Sequence, residues 1–320
     1  MRRLIFTAAI GALTVLAASP AGAADDGPVQ GQNARTSASP AAALKLFVPD
    51  QAIETADPRT TLAAAPAVKE GEAKGDEATE LAKKTQNPVA AMISVPFQFN
   101  TYFGAGKDKD KTIYSLNIQP VIPSKLNDDW NLITRIIVPL NWQPSLYPGM
   151  GSASGMGDIN PSLFFSPSKP GKVIWGVGPT FIFPTATDRL LGSGKYSAGP
   201  TGVILAMDGP WVYGVLANNQ WSYAPRGDQR VNQMLINPFL AYNLPNAWSL
   251  STSPNITADW TAPSDQRWTV PVGGGVARVF FIGKLPVKLS LSAYYNVKHP
   301  DGAPQWFVQT QFSLLFPAWK

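Results

Sequence analysis

Residues suited to catalysis are few in this sequence. The single histidine, His299, precedes Pro300, Asp301 and Gly302, a composition typical of a turn. A histidine in a hydrolase serves as the base for a serine held at hydrogen-bond distance, and no serine lies within two residues of His299. The sequence therefore predicts no catalytic residue, and a hydrolase that uses His299 is the least favoured alternative.

Metal and phosphate ligands are equally sparse. One histidine and no cysteine exclude most zinc sites. Asp108 and Asp110 alternate with lysines over 107–111, which we interpret as a solvated loop, with contact to calcium or to lipopolysaccharide phosphate as the alternative. The glycine-rich stretches 149–157 and 192–194 lack the strand–loop–helix context of a phosphate-binding loop. The sequence predicts no metal site and no cofactor.

The first residues predict export. Arg2 and Arg3 precede an uncharged apolar run over 4–18 and small residues over 21–23, which is the pattern of a signal peptide cleaved after Ala23. The apolar run is shorter than the ~20 residues that a membrane-spanning helix needs. Without Arg2 and Arg3, 24 of the 26 basic residues remain against 21 acidic ones. A charge near +3 gives no reason to expect nucleic acid as a partner.

The composition changes near residue 88. Residues 24–87 are rich in Ala, Pro, Glu and Lys and contain one aromatic residue, Phe47. They bury too little apolar surface to offset ordering entropy, which predicts a disordered or partly helical periplasmic tether. Within it, 76–84 is either a short helix or part of the solvated tether. From residue 88 onward aromatic and β-branched residues, punctuated by Gly and Pro, predict many β-strands.

The predicted strands alternate between apolar and polar positions. Over 130–142, the even positions are apolar apart from one threonine and begin and end with tryptophan, whereas the odd positions include Asn131, Arg135 and Asn141. The segments 248–260, 287–296 and 305–316 repeat the pattern. A secreted soluble β-sandwich also alternates and is the alternative fold. Tryptophan at both ends of an apolar face favours instead a barrel that crosses a membrane, because indoles prefer its two interfaces.

The fold class that this pattern predicts is all-β, a transmembrane antiparallel up-and-down β-barrel of about twelve strands over 88–320. An exported chain without cysteine has no disulfides, and a closed backbone network can stabilise it. Short turns alternate with longer loops, so both termini are expected in the periplasm of an outer-membrane protein. The strands are predicted near 89–104, 112–122, 129–142, 157–167, 172–184, 196–207, 211–222, 232–243, 247–260, 267–279, 284–297 and 305–317.

Proline and glycine within these strands predict local irregularities. Each proline removes a donor from the ladder, so bulges are expected at Pro120, Pro139, Pro179, Pro238, Pro254 and Pro271. The run Gly273, Gly274, Gly275 predicts a bulge or the close approach of another backbone.

Several phrases in this order resemble a family of outer-membrane transporters that are often labelled as belonging to a meta-pathway of phenol degradation, or as neuromedin U. The resemblance implies a pore or transporter for small hydrophobic or aromatic compounds and supplies no catalytic residue. It covers 86–317, but the chain departs from the pattern over 251–259 and past Pro317. The matching strings are QNPVAAMISVPF (86–97), LNIQPVIP (116–123), GMGD (155–158), FFSP (164–167), IWGVGP (174–179), PTATDRLLGSGKYSAGP (184–200), NPFLAY (237–242), WTVP (268–271) and LLFP (314–317).

The lumen is the remaining place for function. Twelve strands enclose less space than the barrel of a general porin, which favours passage of small solutes. Outer-membrane lipid, lipopolysaccharide, the barrel-assembly machinery and a small solute are the expected partners. A closed structural or interaction barrel is the alternative. The residues predicted to line the lumen are Asn117, Gln119, Arg135, Asn218, Gln220, Asn237, Asn255, Asp259, Lys288, Tyr294, Gln309 and Gln311.

Overall fold

The computed structural model of the protein describes residues 72–90, 92–223 and 230–317. The predicted signal peptide, 1–23, and the tether residues 24–71 lie outside the described residues. One α-helix, α1 (Glu72–Lys84), precedes the strands, so the helical alternative for 76–84 is the one that forms. No helix among the described residues is long and apolar enough to cross a membrane.

Twelve strands follow the helix, and three of them are interrupted. They are β1 (Met92–Ala105), β2 (Lys111–Ile118 and Val121–Lys125), β3 (Trp130–Gln143), β4 (Ala153–Met156 and Asn160–Pro167), β5 (Val173–Ile182), β6 (Ser197–Asp208), β7 (Trp211–Ser222), β8 (Asn232–Asn243), β9 (Trp248–Thr252 and Ile256–Asp259), β10 (Trp268–Ile282), β11 (Leu285–Lys298) and β12 (Trp306–Pro317).

The strands close into one barrel. Each pairs antiparallel with the next in the chain, and β12 returns to pair with β1 from Met92↔Pro317 to Phe103↔Trp306. Closure leaves no row of unpaired backbone groups, which is the condition for a sheet inside a bilayer. The predicted twelve-stranded up-and-down barrel is therefore confirmed. We call the end with the short β2–β3 and β6–β7 connections the turn end, and the opposite end the loop end.

The barrel is irregular at some of the predicted prolines. The interruptions of β2 and β9 fall at Pro120 and Pro254, and the register between β10 and β11 shifts between Val270 and Pro271. These irregularities follow from the missing N–H donor. The register continues unshifted through Pro179 and Pro238, where the predicted bulges are absent.

The glycine run of β10 marks a close backbone approach and not a bulge, because the register runs through it without a shift. A Cβ atom on Gly273 would lie 2.0 Å from the carbonyl oxygen of Ala293, and one on Gly275 would lie 2.1 Å from that of Leu291. Side chains at these positions would push β10 away from β11.

The outer surface is apolar and carries tryptophans at both ends. Trp130 and Trp175 meet edge to face at the turn end, with ring centroids 5.9 Å apart, and Trp260 and Trp268 do so at the loop end at 5.6 Å. Large aliphatic side chains such as Leu291 are exposed between these two levels. This is the exterior of a membrane-spanning barrel with two aromatic girdles.

Candidate functional site

The pairing register shows which side chains face the lumen. Directly paired residues share a face of the sheet, so the partners of exposed outer residues such as Leu240 and Tyr213 also point outward. The opposite parity points inward. Gln119 and Asn255 lie in strand breaks and have no paired residue; Gln119 contacts inward side chains, and Asn255 is exposed. By the pairing criterion, the other members of the predicted lumen set carry inward parity: Asn117, Arg135, Asn218, Gln220, Asn237, Asp259, Lys288, Tyr294, Gln309 and Gln311.

Four inward side chains on β1, β2 and β3, with Gln119 at the break of β2, form a continuous hydrogen-bonded chain. Arg135 Nη2 donates to Gln119 Oε1 at 2.7 Å. Gln119 Nε2 donates to Gln98 Oε1 at 3.0 Å, and Gln98 Nε2 donates to Asn100 Oδ1 at 3.2 Å. We call these four residues the amide chain. It runs from a fixed cation to a buried asparagine and brings together two predicted residues and two that the sequence analysis did not single out.

A second polar group lies on the inner wall of β4, β5 and β7. The hydroxyls of Ser162 and Thr180 are 2.8 Å apart, and Gln220 Nε2 donates to Thr180 Oγ1 at 2.9 Å. Asn160 Nδ2 donates to the same hydroxyl at 3.2 Å. Because Ser162 pairs with Arg135 across β3 and β4, the two polar groups continue one another around the wall.

The remaining predicted residues are less closely connected. Asn237 Nδ2 donates to Ser253 Oγ and to the carbonyl of Pro254, both at 3.0 Å, and Asn255 is exposed in the break of β9. Asp259, the last residue of β9, accepts bonds from the backbone N–H (2.9 Å) and the hydroxyl (2.6 Å) of Thr261. These contacts hold Asp259 to a loop at the mouth of the barrel.

Lys288 faces the lumen on β11 and, like Arg135 on β3, forms none of the ion pairs found among the described residues. Asn218, Gln309 and Gln311 line the wall on β7 and β12. Arg135 and Lys288 are thus lumen-facing cations that no carboxylate of the described residues neutralises in an ion pair.

Aromatic side chains line the lumen near the loop end. Phe307 lies between Tyr102 and Tyr294, with centroids 5.0 Å from each ring. The Tyr294 hydroxyl accepts a hydrogen bond from the backbone N–H of Ser253 at 3.1 Å. Tyr294 reaches β9 across Gly273, its partner on β10, because that position has no side chain.

A loop packs against the inner wall beside Tyr102. Leu146, from the loop 144–152, is buried against Ala105 and Ile113, with Tyr102 and Met150 at the edge of the cluster. The backbone of the loop also joins the rim, since Lys107 N–H donates to the carbonyl of Leu146 at 3.2 Å. Apolar side chains therefore line this part of the rim at the loop end.

The turn end of the lumen is filled by the chain itself. We call residues 78–90 the N-terminal segment. Ala78 and Ala82 of α1 are buried against Val279 of β10 and Leu315 of β12, both of which face inward. Val89 is buried in a second inward cluster, whose other members are Ile133, Phe164, Val203, Leu205, Val212 and Leu216.

Hydrogen bonds fix the N-terminal segment to the wall. Gln86 Nε2 donates to Asn243 Oδ1 at 2.9 Å, and Asn243 pairs with inward Ser249 on β9. Val89 N–H donates to Asn87 Oδ1 at 3.0 Å, which shapes the chain into a turn. A Cβ atom on Gly176 would lie 3.2 Å from a methyl group of Val89, so the segment lies close to the inner face of β5.

The residues considered for catalysis or metal binding, His299 and Asp110, lie in loops between strands. His299 Nδ1 lies 2.9 Å from the carbonyl of its neighbour Pro300. Asp110 forms an exposed ion pair with Lys111 at 2.7 Å. Among the described residues no group of three acidic, histidine or cysteine side chains could hold a metal ion.

Sequence reasoning missed several inward residues that parity could have found. The face of β1 that carries Phe97 and Phe99 points outward, so Gln98, Asn100 and Tyr102 point inward. The inward apolar positions of β6 and β7 were missed for a different reason. The predicted lumen set contains polar residues and Tyr294, and nothing local indicates which apolar residues meet the N-terminal segment.

Comparison with known proteins supports the fold. No family model and no curated protein sequence matches the chain. An outer-membrane channel from Pseudomonas putida F1 is similar in structure, with a TM-score of 0.56 and 16% identity over 72% of this chain and 97% of that one. The NanC porin matches with a TM-score of 0.44 and 9% identity, covering 70% and 98% of the two chains. An outer-membrane phospholipase A from Escherichia coli, an active-site mutant, has a TM-score of 0.41 and 13% identity over 75% and 98%.

Proposed function

We propose that this protein is an outer-membrane channel through which small solutes, hydrophobic or aromatic ones among them, diffuse passively. The observation that carries the proposal is the contrast between the two faces of the closed sheet. The outer face is apolar and bounded by tryptophans, as a lipid-facing wall requires. The inner face carries the amide chain, the hydroxyls around Thr180 and the aromatic rings around Phe307. The Pseudomonas putida protein of this fold is named as a channel, and the proposal extends that role to this chain.

The orientation belongs to the same proposal. Short connections usually lie on the periplasmic side of an outer-membrane barrel and longer ones outside. The turn end, with α1 and the last residues of β12, would then face the periplasm. Outer-membrane lipid and lipopolysaccharide would surround the apolar wall, and the barrel-assembly machinery would insert it.

The inner surface predicts a preference among charged solutes. Arg135 and Lys288 face the lumen, and neither takes part in an ion pair of the described residues. A narrow path lined by unpaired cations attracts anions and repels cations. We propose that the channel is weakly anion-selective and has no catalytic role.

Passage also depends on the N-terminal segment. This segment fills the turn end by apolar contacts and by the bond between Gln86 and Asn243. Solutes that enter from the loop end therefore meet it before they leave the barrel. We propose that the resting conductance is small and that movement of the segment enlarges it.

The test is single-channel recording with the purified, folded protein in planar bilayers, combined with solute uptake into vesicles. The proposal expects small current steps with an anion preference. Protein that is inserted and folded, but neither conducts nor transports any solute, would contradict it.

A second candidate, a closed structural or interaction barrel, is favoured by one observation, the filling of the turn end. Removing residues 72–90 separates the two functions. If the shortened protein conducts more than the full chain, the segment is an obstruction in a channel. If neither form conducts and the shortened form loses binding partners in pulldown, the closed barrel replaces the channel.

A further inference from the structure

The amide chain has a fixed direction. A guanidinium group carries only donors, so Arg135 must face the oxygen of Gln119. The amide nitrogen of Gln119 then faces the oxygen of Gln98, and the nitrogen of Gln98 faces the oxygen of Asn100. Turning over any one amide would place two donors or two acceptors against each other. The cation at one end therefore decides the orientation of three amides.

The far end of the chain is an unused donor. Asn100 is 1% exposed, and its Nδ2 atom has no hydrogen-bond partner among the described residues. A buried donor without a partner is costly, and such groups are normally satisfied. Asn100 cannot relieve this by turning over, because its oxygen is held by Gln98. What is missing at Nδ2 is an acceptor.

Aromatic side chains occupy the next inward positions of β1 and β12 toward the loop end. Tyr102 follows Asn100 by two residues on β1 and faces the same way, and its ring centroid is 5.0 Å from that of Phe307. Phe307 stacks on Tyr294 at the same distance with an angle of 20° between the rings. Tyr102 also packs against the apolar loop cluster around Leu146. A planar ring is suited to such surroundings.

We propose that Asn100 Nδ2 binds an acceptor oxygen, a carbonyl or a carboxylate, of an aromatic solute whose ring lies against Tyr102 and Phe307. The site rests on the proposed function, because its ligand is a solute in the same lumen. It narrows the solute class to aromatic compounds with an oxygen acceptor. Arg135 acts on the site through Gln119 and Gln98 as a positioning residue, and a carboxylate would also gain from its positive charge.

Two probe solutes separate the contribution of the acceptor oxygen to binding from that of the aromatic ring. Acetophenone has a carbonyl oxygen and no donor, and ethylbenzene has the same ring without an acceptor. Their affinities are measured by saturation-transfer NMR on the full-length protein in lipid nanodiscs, for wild type, Asn100→Ala and Asn100→Asp. The aspartate keeps the shape of Asn100 and removes its donors. Asn219→Ala, on the outer face of β7, is the matched control.

We expect both Asn100 substitutions to weaken acetophenone binding about tenfold, the effect of one hydrogen bond, while ethylbenzene binding stays the same. Equal acetophenone affinity in all variants would overturn the site, and it is the result expected if a held water occupies Nδ2. Equal weakening for the two probes would also overturn it, because the role of Asn100 would then be packing.

A Gln98→Glu substitution tests the direction of the chain without changing Asn100. A carboxylate only accepts, so Glu at this position would accept from both Gln119 and Asn100 and turn the Asn100 oxygen toward the solute. We expect acetophenone binding to fall as in Asn100→Ala. Unchanged acetophenone binding would show that the amide chain does not determine which atom of the Asn100 amide faces the solute.

Binding in nanodiscs does not require conduction, so the two proposals fail separately. An acetophenone preference in a barrel that carries no current would leave the site in place and remove the channel. Current through a barrel that binds acetophenone and ethylbenzene equally would keep the channel and remove the site.

Discussion

The two halves of the lumen differ in what fills them, although the same strands build both. Near the turn end, inward Phe164 and Val279 are buried by the N-terminal segment, with Val89 and Ala82 in the two contacts. Midway along the barrel and from there toward the loop end, the inward side chains include the amide chain and the rings around Phe307. One half is a packed core and the other is a polar and aromatic wall.

The difference shows that alternation decides only the direction of a side chain. Whether the inward side is packed or open depends on residue type. Apolar inward side chains would be exposed to water in an open lumen, and burial against another part of the chain removes that cost. Amide side chains instead satisfy their polar groups by bonding to one another along the wall.

The largest expected effect comes from charging the buried face of α1. Ala82 is 2% exposed, and Ala82→Asp would bury a carboxylate without a partner, which is too costly for the helix to stay in place. We expect the single-channel conductance to rise well above that of wild type. Glu80→Ala, at an exposed position of the same helix, should leave it unchanged. Unchanged current in a folded Ala82→Asp barrel would show that the segment does not obstruct the lumen.

A cavity in the turn half should destabilise the whole barrel. Phe164 is 1% exposed in the inward cluster, and Phe164→Ala is expected to lower the free energy of unfolding by about 3–5 kcal/mol. Phe165, the next residue, faces outward and is 40% exposed. Phe165→Ala opens no cavity and should cost less. Denaturant unfolding in lipid vesicles measures both, and equal losses would contradict a packed inner core.

The contribution of the polar half to ion selectivity is tested by removing the charge of Arg135. Arg135→Met keeps much of the side-chain volume and removes the charge from the lumen. We expect the reversal potential in a salt gradient to shift away from anion selectivity. Lys125→Met, at an exposed turn-end position ion-paired with Asp128, is the control and should not shift it. An equal shift in both variants would indicate a surface effect of net charge.

The smallest effect is expected where the loop meets the rim. Gly302 has φ +74°, and a Cβ atom there would lie 1.8 Å from the Tyr147 hydroxyl oxygen. Gly149 has φ +80° with no atom within 4 Å of such a Cβ. Both alanine variants bear the cost of a Cβ at positive φ, roughly 1–2 kcal/mol, but only Gly302→Ala displaces Tyr147. Faster hydrogen exchange in 144–152 for Gly302→Ala alone would confirm this contact.

The sequence predicted the barrel well because each strand carries its own signal. Trp130, Trp248 and Trp306 begin apolar faces that alternate with polar ones, and the structure places all three at strand ends on the outer surface. Strand ends were less certain near Pro120 and Pro254, where the ladder is interrupted. The alternation along β3 places Arg135 opposite Val121 and Ser162 in the register.

The packing of the N-terminal segment into the turn half of the lumen could not be predicted from local sequence patterns. Ala78 and Ala82 lie in an alanine- and charge-rich stretch with the composition of a tether, and their burial depends on Val279 and Leu315, some two hundred residues away along the chain. The amide chain was missed in part because Gln98 and Asn100 lie between outward aromatic residues. Their bonding needs the registers of β1, β2 and β3 together.

One residue, position 91, separates the N-terminal segment from β1. A link this short, at about 3.3–3.6 Å per residue, keeps Val89 within a few ångströms of the wall even after its contacts break. The effective concentration of the segment at the lumen therefore stays high, in the range of mM or above for short tethers. A free peptide that competes for the same inner surface would have to exceed that concentration. Opening should then be brief and self-reversing, and independent of the amount of protein in the membrane.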